Sequence, residues 1–175
     1  MELFDALYSR KSVRSYTGEP VSEEELNAIL KAAMAAPVGM GQYDAMHLTL
    51  IRDKEILSEI DKAAAEMFGA PASHPLYGAP MLILVSGKIA PGRENVIFSN
   101  AAMIIHNMAL AATDLKVGSC DIWGAVAALN RSPEIVAKLS LPEGYKPCSG
   151  IIIGKTDVEF PLREIPKERI LSNEI

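Results

Sequence analysis

A chain of 175 residues with a formal charge of −5 is the size of one domain with a substantial core, and its acidity excludes nucleic acid or an anionic membrane as the main partner, since either calls for an extended basic face. Two cysteines, Cys120 and Cys148, make neither a disulfide framework nor a Cys/His ligand spacing, and His47, His74 and His106 are scattered, so no metal site is expected. The Met-Glu-Leu-Phe-Asp start has no basic region followed by an apolar run, which leads us to expect a cytoplasmic protein.

Leu3, Phe4 and Leu7 recur at helical spacing and predict a short opening helix that ends near Arg10. Arg10-Lys11-Ser12-Val13-Arg14-Ser15-Tyr16 follows, a basic turn whose cations and hydroxyl offer charge-assisted donors to an anion. Ser22-Glu23-Glu24-Glu25 is a capping box, and Leu26, Ile29, Leu30, Ala33 and Met34 continue as one apolar helix face that Pro37 stops. His47 to Arg52 predicts a strand; Asp53 then caps a helix with Ile56, Ile60, Ala63 and Met67 on its inner face. Residues 69–80 are its loop exit.

Met81-Leu82-Ile83-Leu84-Val85 is continuously apolar, as expected of a central strand covered on both faces. From Glu94 to Lys116 the pattern is helical but apolar on nearly every side, so this helix must be surrounded by its own core or by a second subunit. Its length approaches that of a membrane span, but Asn100, His106, Asn107, Asp114 and Lys116 mark a buried soluble helix, with Gly118 as its stop. Ser132-Pro133-Glu134 starts a further helix under a serine cap, and Gly150 to Gly154 supplies the last strand. Met34, Met40, Met46, Met103 and Met108 are expected in the core. Gly39-Met40-Gly41 begins like a dinucleotide fingerprint, but it lacks a third glycine and follows a helix, which rules out a Rossmann site. Periodicity alone leaves a parallel doubly wound sheet and an α+β arrangement both open.

The order of these features resembles the nitroreductase family of flavoenzymes. The Arg-x-Ser-x-Arg turn after the first helix, Ala36-Pro37, Ala79-Pro80 before an apolar strand, Asn107 to Ala112 in a long helix, Gly118-Ser119-Cys120, and Leu141 to Tyr145 before Ile151 to Gly154 carry the likeness across almost the whole chain. It implies an α+β fold with a mixed or antiparallel sheet flanked by helices. It also implies a single FMN-binding domain over 1–175 and an obligate homodimer built on the long helix, with the tail from about 155 to 175 extending over the partner.

By the same resemblance Arg10 and Ser12 bind the flavin phosphate with help from Lys11, and Arg14 lies at the pyrimidine edge, where a fixed cation favours reduced flavin. Trp123 and Gly124 pass beside O4 and N5, the bare glycine permitting close approach. Arg163 reaches the phosphate, with Lys167 and Arg169 as substitutes. Family members often carry an Asn-x-Gln-Pro-Trp-like loop after the second helix; here Val38 to Asp44 replaces it, leaving backbone at Gly41 and the side chain of Gln42 as contacts. The implied activity is transfer of hydride from NADH or NADPH, through flavin N5 and with no catalytic side chain, to a nitroaromatic or quinone in ping-pong order. Alternatives are other flavin chemistry on a specific metabolite, or FMN binding and storage without turnover. Cys120 is read as a buried small residue, a redox thiol being the other possibility.

Overall fold

A computed structural model describes residues 2–175. Helix α1 (Leu3–Ser9) leads through the basic segment into α2 (Glu23–Met34), two short 3-10 turns (Gly39–Gly41 and Tyr43–Ala45) and strand β1 (Met46–Ile51). Helix α3 (Lys54–Met67), strand β2 (Met81–Lys88) and helix α4 (Glu94–Asp114) follow, then β3 (Gly118–Asp121), α5 (Trp123–Leu129), α6 (Pro133–Lys138) and β4 (Tyr145–Gly154). Beyond Gly154 the tail has no regular element.

The four strands lie in the order β1-β2-β4-β3, and every pairing is antiparallel. This excludes the doubly wound alternative. β2 is central, as its unbroken apolar run requires, because its two faces belong to two cores. Met81, Ile83 and Val85 pack with Ile151 and Ile153 under α2 and α4. Leu82, Leu84 and Ile152 face the opposite way, toward Leu57 and Ile60 of α3 and Val126 and Leu129 of α5. The period of two along each strand therefore sorts one apolar run into two layers.

Local signals set several boundaries. Ser22 Oγ accepts the Glu25 N–H at 3.2 Å while Glu25 returns a carboxylate to the Ser22 N–H at 2.8 Å, completing the capping box of α2. Asp53 Oδ1 accepts the N–H groups of Glu55 and Ile56 and starts α3. Other expectations shift. The inner face of α3 is Leu57, Ile60, Ala64 and Ala65, turned from the predicted stripe, and Ile56 and Ala63 are only partly covered. Ser132 does not cap α6; its hydroxyl donates back to the Ala128 carbonyl of α5 at 3.0 Å.

Gly118 does not stop α4. The helix ends at Asp114, Lys116 takes the left-handed turn (φ 56°), and Gly118 opens β3, where a Cβ would sit 3.0 Å from the Thr156 methyl and 3.1 Å from the Gly154 carbonyl. Met108 is fully buried, but Met34 and Met40 are 64% and 69% exposed and Met103 is also at the surface, so three of the five core methionines were misplaced. Helix α4 has the length and mean hydropathy (1.4) of a membrane span. Its buried side, Ile97, Ala101, Ile104, Ile105 and Met108, packs against the sheet and α2, while Val96, Phe98 and Met103 face outward.

Candidate functional site

The basic segment is held in place by backbone pairing. Val13 N–H donates to the Ser119 carbonyl at 2.8 Å, Thr17 N–H to Lys155 at 3.0 Å, and Lys155 N–H to Glu19 at 3.1 Å, so residues 13–19 run along β3 and the exit of β4. Val13 is buried, and the Tyr16 hydroxyl donates to the Val13 carbonyl at 2.9 Å. Alternation then leaves Ser12 and Arg14 free to project from the edge. Glycine matters once here: at Gly154 a Cβ would lie 2.5 Å from Pro80 and 3.0 Å from the Tyr16 ring. Burial drives the Tyr16 phenol far above its ordinary range, so it stays a neutral donor.

Arg14 projects toward the Tyr77 ring, its guanidinium carbon 5.8 Å from the centroid. The two line a pocket of about 150 Å³ together with Cys120, Trp123 and Gly124. Phe68 and Trp123, 56% and 74% exposed, form its mouth. Tyr77 adopts a left-handed conformation (φ 53°) within the turn-rich 73–78 loop. Thus Arg14, Trp123 and Gly124, distant in sequence, share one pocket. A Cβ at Gly124 would lie 2.4 Å from the Phe68 ring, so the absent side chain makes room for Phe68.

Ser12 and Arg10 act on the pocket through Cys120 and Asp121 of β3, which line it. Burial pushes the Cys120 thiol up, partly opposed by a hydrogen bond with Ser12 and by the charges of Arg14 and Arg10. A thiol held protonated in this way is the buried small residue expected from sequence. The Asp121 carboxyl is also raised by desolvation against the opposing pull of Arg10 and His106.

Arg163 is brought to the same end of the molecule by the tail of its own chain. Its Nε and Nη2 donate to the carbonyls of Tyr8 and Leu7 at 2.8 and 3.3 Å, covering the open C-terminus of α1. Desolvation, Arg10 and Arg169 all pull its proton affinity down, which places three guanidinium groups in one neighbourhood. Lys11 turns aside, its ammonium 5.8 Å from the Phe160 ring centroid.

Gly41 and Gln42 lie elsewhere. Gln42 Oε1 accepts from Arg93 at the start of α4 (3.2 Å), and Gly39 N–H donates to the buried Asn100 at 3.0 Å. From Arg93 to His106, whose charge reaches Asp121, is 13 residues of helix or roughly 20 Å. Within one chain these two residues do not meet the Arg10–Arg14 segment. Phe68, Tyr77 and Asp121 are pocket residues that sequence reasoning missed; the turn-dense Ser73-His74-Pro75-Leu76-Tyr77-Gly78 stretch was the available signal. Among the described residues there is no cluster of three or more metal-ligating side chains.

Comparison with known proteins identifies the family and the fold. A family model described as the nitroreductase family matches residues 7–155. An FMN reductase [NAD(P)H] of Bacillus subtilis is 27% identical over 97% of this chain and 72% of its own. A nitroreductase with bound FMN from Bacteroides fragilis superposes with a TM-score of 0.80 at 28% identity, covering 99% of this chain and 100% of the other. One from Desulfitobacterium hafniense, also with bound FMN, gives 0.83 at 25% identity over the same shares. With a basic segment laid along β3, an antiparallel four-stranded sheet between two helical layers and a family match over most of its length, this chain belongs to the nitroreductase family.

Proposed function

We propose that the protein is an FMN-dependent oxidoreductase that uses NADH or NADPH to reduce an electron-poor acceptor such as a nitroaromatic or quinone. The observation that carries this reading is the meeting of Arg14 with Trp123 and Gly124 in one pocket, whose wall residue Cys120 also feels Ser12 and Arg10, with Arg163 near Arg10 and Arg169, in a chain whose net charge is negative. This donor set fits the group. Cations and a hydroxyl suit a phosphate, and a guanidinium beside aromatic walls suits a planar ring that becomes anionic on reduction. When bound, the flavin supplies two-electron chemistry, taking hydride from the nicotinamide and releasing it to the acceptor in ping-pong order.

The side chains do the holding. Arg10, with Ser12 and the guanidinium groups near it, neutralises the phosphate. Arg14, braced by Tyr77, presents a fixed positive charge to the pyrimidine edge, and the backbone at Trp123 and Gly124 offers polar groups to the ring. No nucleophile or acid-base pair is required, and Cys120 stays a thiol. Gly41 and Gln42 would reach the flavin only from a second protomer. Homodimerisation is supported by Val96, Phe98 and Met103, which α4 leaves exposed, and by Leu3 and Phe4 on the adjoining α1. In the dimer the tail beyond Arg163, with exposed Ile165, Ile170 and Leu171, extends over the partner.

Purified protein tests the proposal directly. It should be yellow, or take up FMN to near one per chain, and bleach under anaerobic NADH or NADPH. A preparation that cannot be reconstituted with FMN refutes flavin binding, and a holoprotein that stays oxidised refutes the enzyme.

A further inference from the structure

A cavity of about 920 Å³ lies beside the site described above. It lies between the first half of α3, with Lys54, Leu57 and Ser58 on its wall, and the 74–80 loop, and it opens beside Gly18. The opening is a constructed feature. Asp61 Oδ1 accepts the Leu76 N–H at 2.6 Å and Oδ2 pairs with His74 Nδ1 at 3.0 Å, so one carboxylate ties the loop to the helix at two points. Leu57, Leu76, Ala79 and Pro80 give the cleft an apolar floor suited to a flat heterocycle, with a polar rim of Lys54, Ser58 and His74.

Two further observations select the ligand. Lys54 forms no ion pair among the described residues, although its helix carries Glu55, Glu59 and Asp61, so its ammonium is available to an external anion. Tyr77 lines both this cleft and the Arg14 pocket, which makes the two spaces neighbours through one ring. A ligand that enters the flavin pocket with one ring and carries phosphate and a second ring into the adjoining cleft can occupy both spaces; a compact acceptor cannot.

We propose that the cleft between α3 and the 74–80 loop receives the adenylate half of the nicotinamide dinucleotide, its adenine on the Leu57–Pro80 floor and its phosphates at Lys54 and His74. The nicotinamide then passes Tyr77 toward Arg14. This assignment rests on the flavin oxidoreductase reading. It makes the cleft a binding and specificity element, with no part in the chemical step.

The test uses FMN-loaded protein and Lys54→Gln. Steady-state kinetics are compared for NADPH and NADH and for N-benzyl-1,4-dihydronicotinamide, which has neither phosphate nor adenine, while ADP-ribose binding is followed by calorimetry. The expected result is a roughly tenfold rise in KM for the dinucleotides with kcat unchanged, no change for the truncated donor, and a matching loss of ADP-ribose affinity in the variant. Equal effects on all donors, no effect on any, or no ADP-ribose binding to the wild type would overturn the assignment. If ADP-ribose binds but no donor bleaches the flavin, the oxidoreductase reading fails and the donor assignment falls with it.

Discussion

Replacing Gly124 by alanine should change stability in a direction set by Phe68. Position 124 lies in the first turn of α5 and its φ is not left-handed, so alanine is conformationally acceptable and gains up to about 1 kcal/mol of helix propensity. Against this, the new methyl would lie 2.4 and 2.6 Å from the Cζ and Cε2 atoms of Phe68, and the ring must swing away. Phe68 is 56% exposed, so what it loses is the buried remainder, roughly 90 Å² of an aromatic side chain, or about 2 kcal/mol if none is recovered. Gly124→Ala is therefore expected to destabilise by about 1 kcal/mol, seen as a fall of roughly 2–4 °C in Tm. In a Phe68→Ala background the clash is gone and the same substitution should stabilise by up to about 1 kcal/mol. Urea unfolding of the four proteins in this cycle measures the coupling. If Gly124→Ala has the same sign and size in both backgrounds, the glycine is not there to admit Phe68.

Arg10→Ala with Arg14→Ala should leave a folded protein, since neither residue is buried, and should lower FMN affinity by roughly two to four orders of magnitude, the worth of two charge-assisted contacts; a dissociation constant unchanged within threefold refutes the placement of the flavin. Asn100→Ala removes the buried acceptor of Gly39 N–H and is expected to cost about 1–3 kcal/mol and to expose residues 38–43 to proteolysis; an unchanged cleavage pattern would show that the loop is held otherwise. The Lys155 ammonium, 2.5 Å from Glu25, holds that carboxyl below its usual range, chiefly through their hydrogen bond. Because the folded-state value is depressed, the stabilisation is complete above the ordinary carboxylate range and is lost as pH falls through the lower folded value. Lys155→Met should therefore cost about 1 kcal/mol at pH 7, little for a partly exposed pair, and progressively less in acid; a cost that persists undiminished to pH 3 contradicts the linkage.

Much of the fold was legible because its signals are local. The capping box at Ser22, the cap at Asp53, the apolar run of β2 and the helical period of α4 each depend on neighbours within a few residues, and each appears where the residues predict it. Local signals misled where a distant partner overrides them. Gly118 has the form of a helix stop, yet its size answers to Thr156 and Gly154 across the sheet. Met34 and Met103 are apolar without being buried in this chain, because helix periodicity identifies an apolar side and cannot say whether that side meets the same chain or another, and Met40 sits exposed in the Gly39–Gly41 turn.

For the site, the residue types along Arg10 to Tyr16 identified a cationic segment, and family resemblance named its partners at Trp123, Gly124 and Arg163. Tertiary structure decided what surrounds them. Backbone pairing of Val13 with Ser119 sets the orientation of Arg14, and the 73–78 loop brings Tyr77 against it; neither follows from spacing, because each joins segments about 60 to 106 residues apart. The sequence by itself determined an acidic chain with a local cationic segment and a long helix apolar on nearly every side. Only the folded chain decided that this segment shares a pocket with Phe68, Tyr77 and Cys120, and that α3 carries a second cleft. Long-range contacts are chosen by the packing of whole layers, which no single stretch of residues encodes.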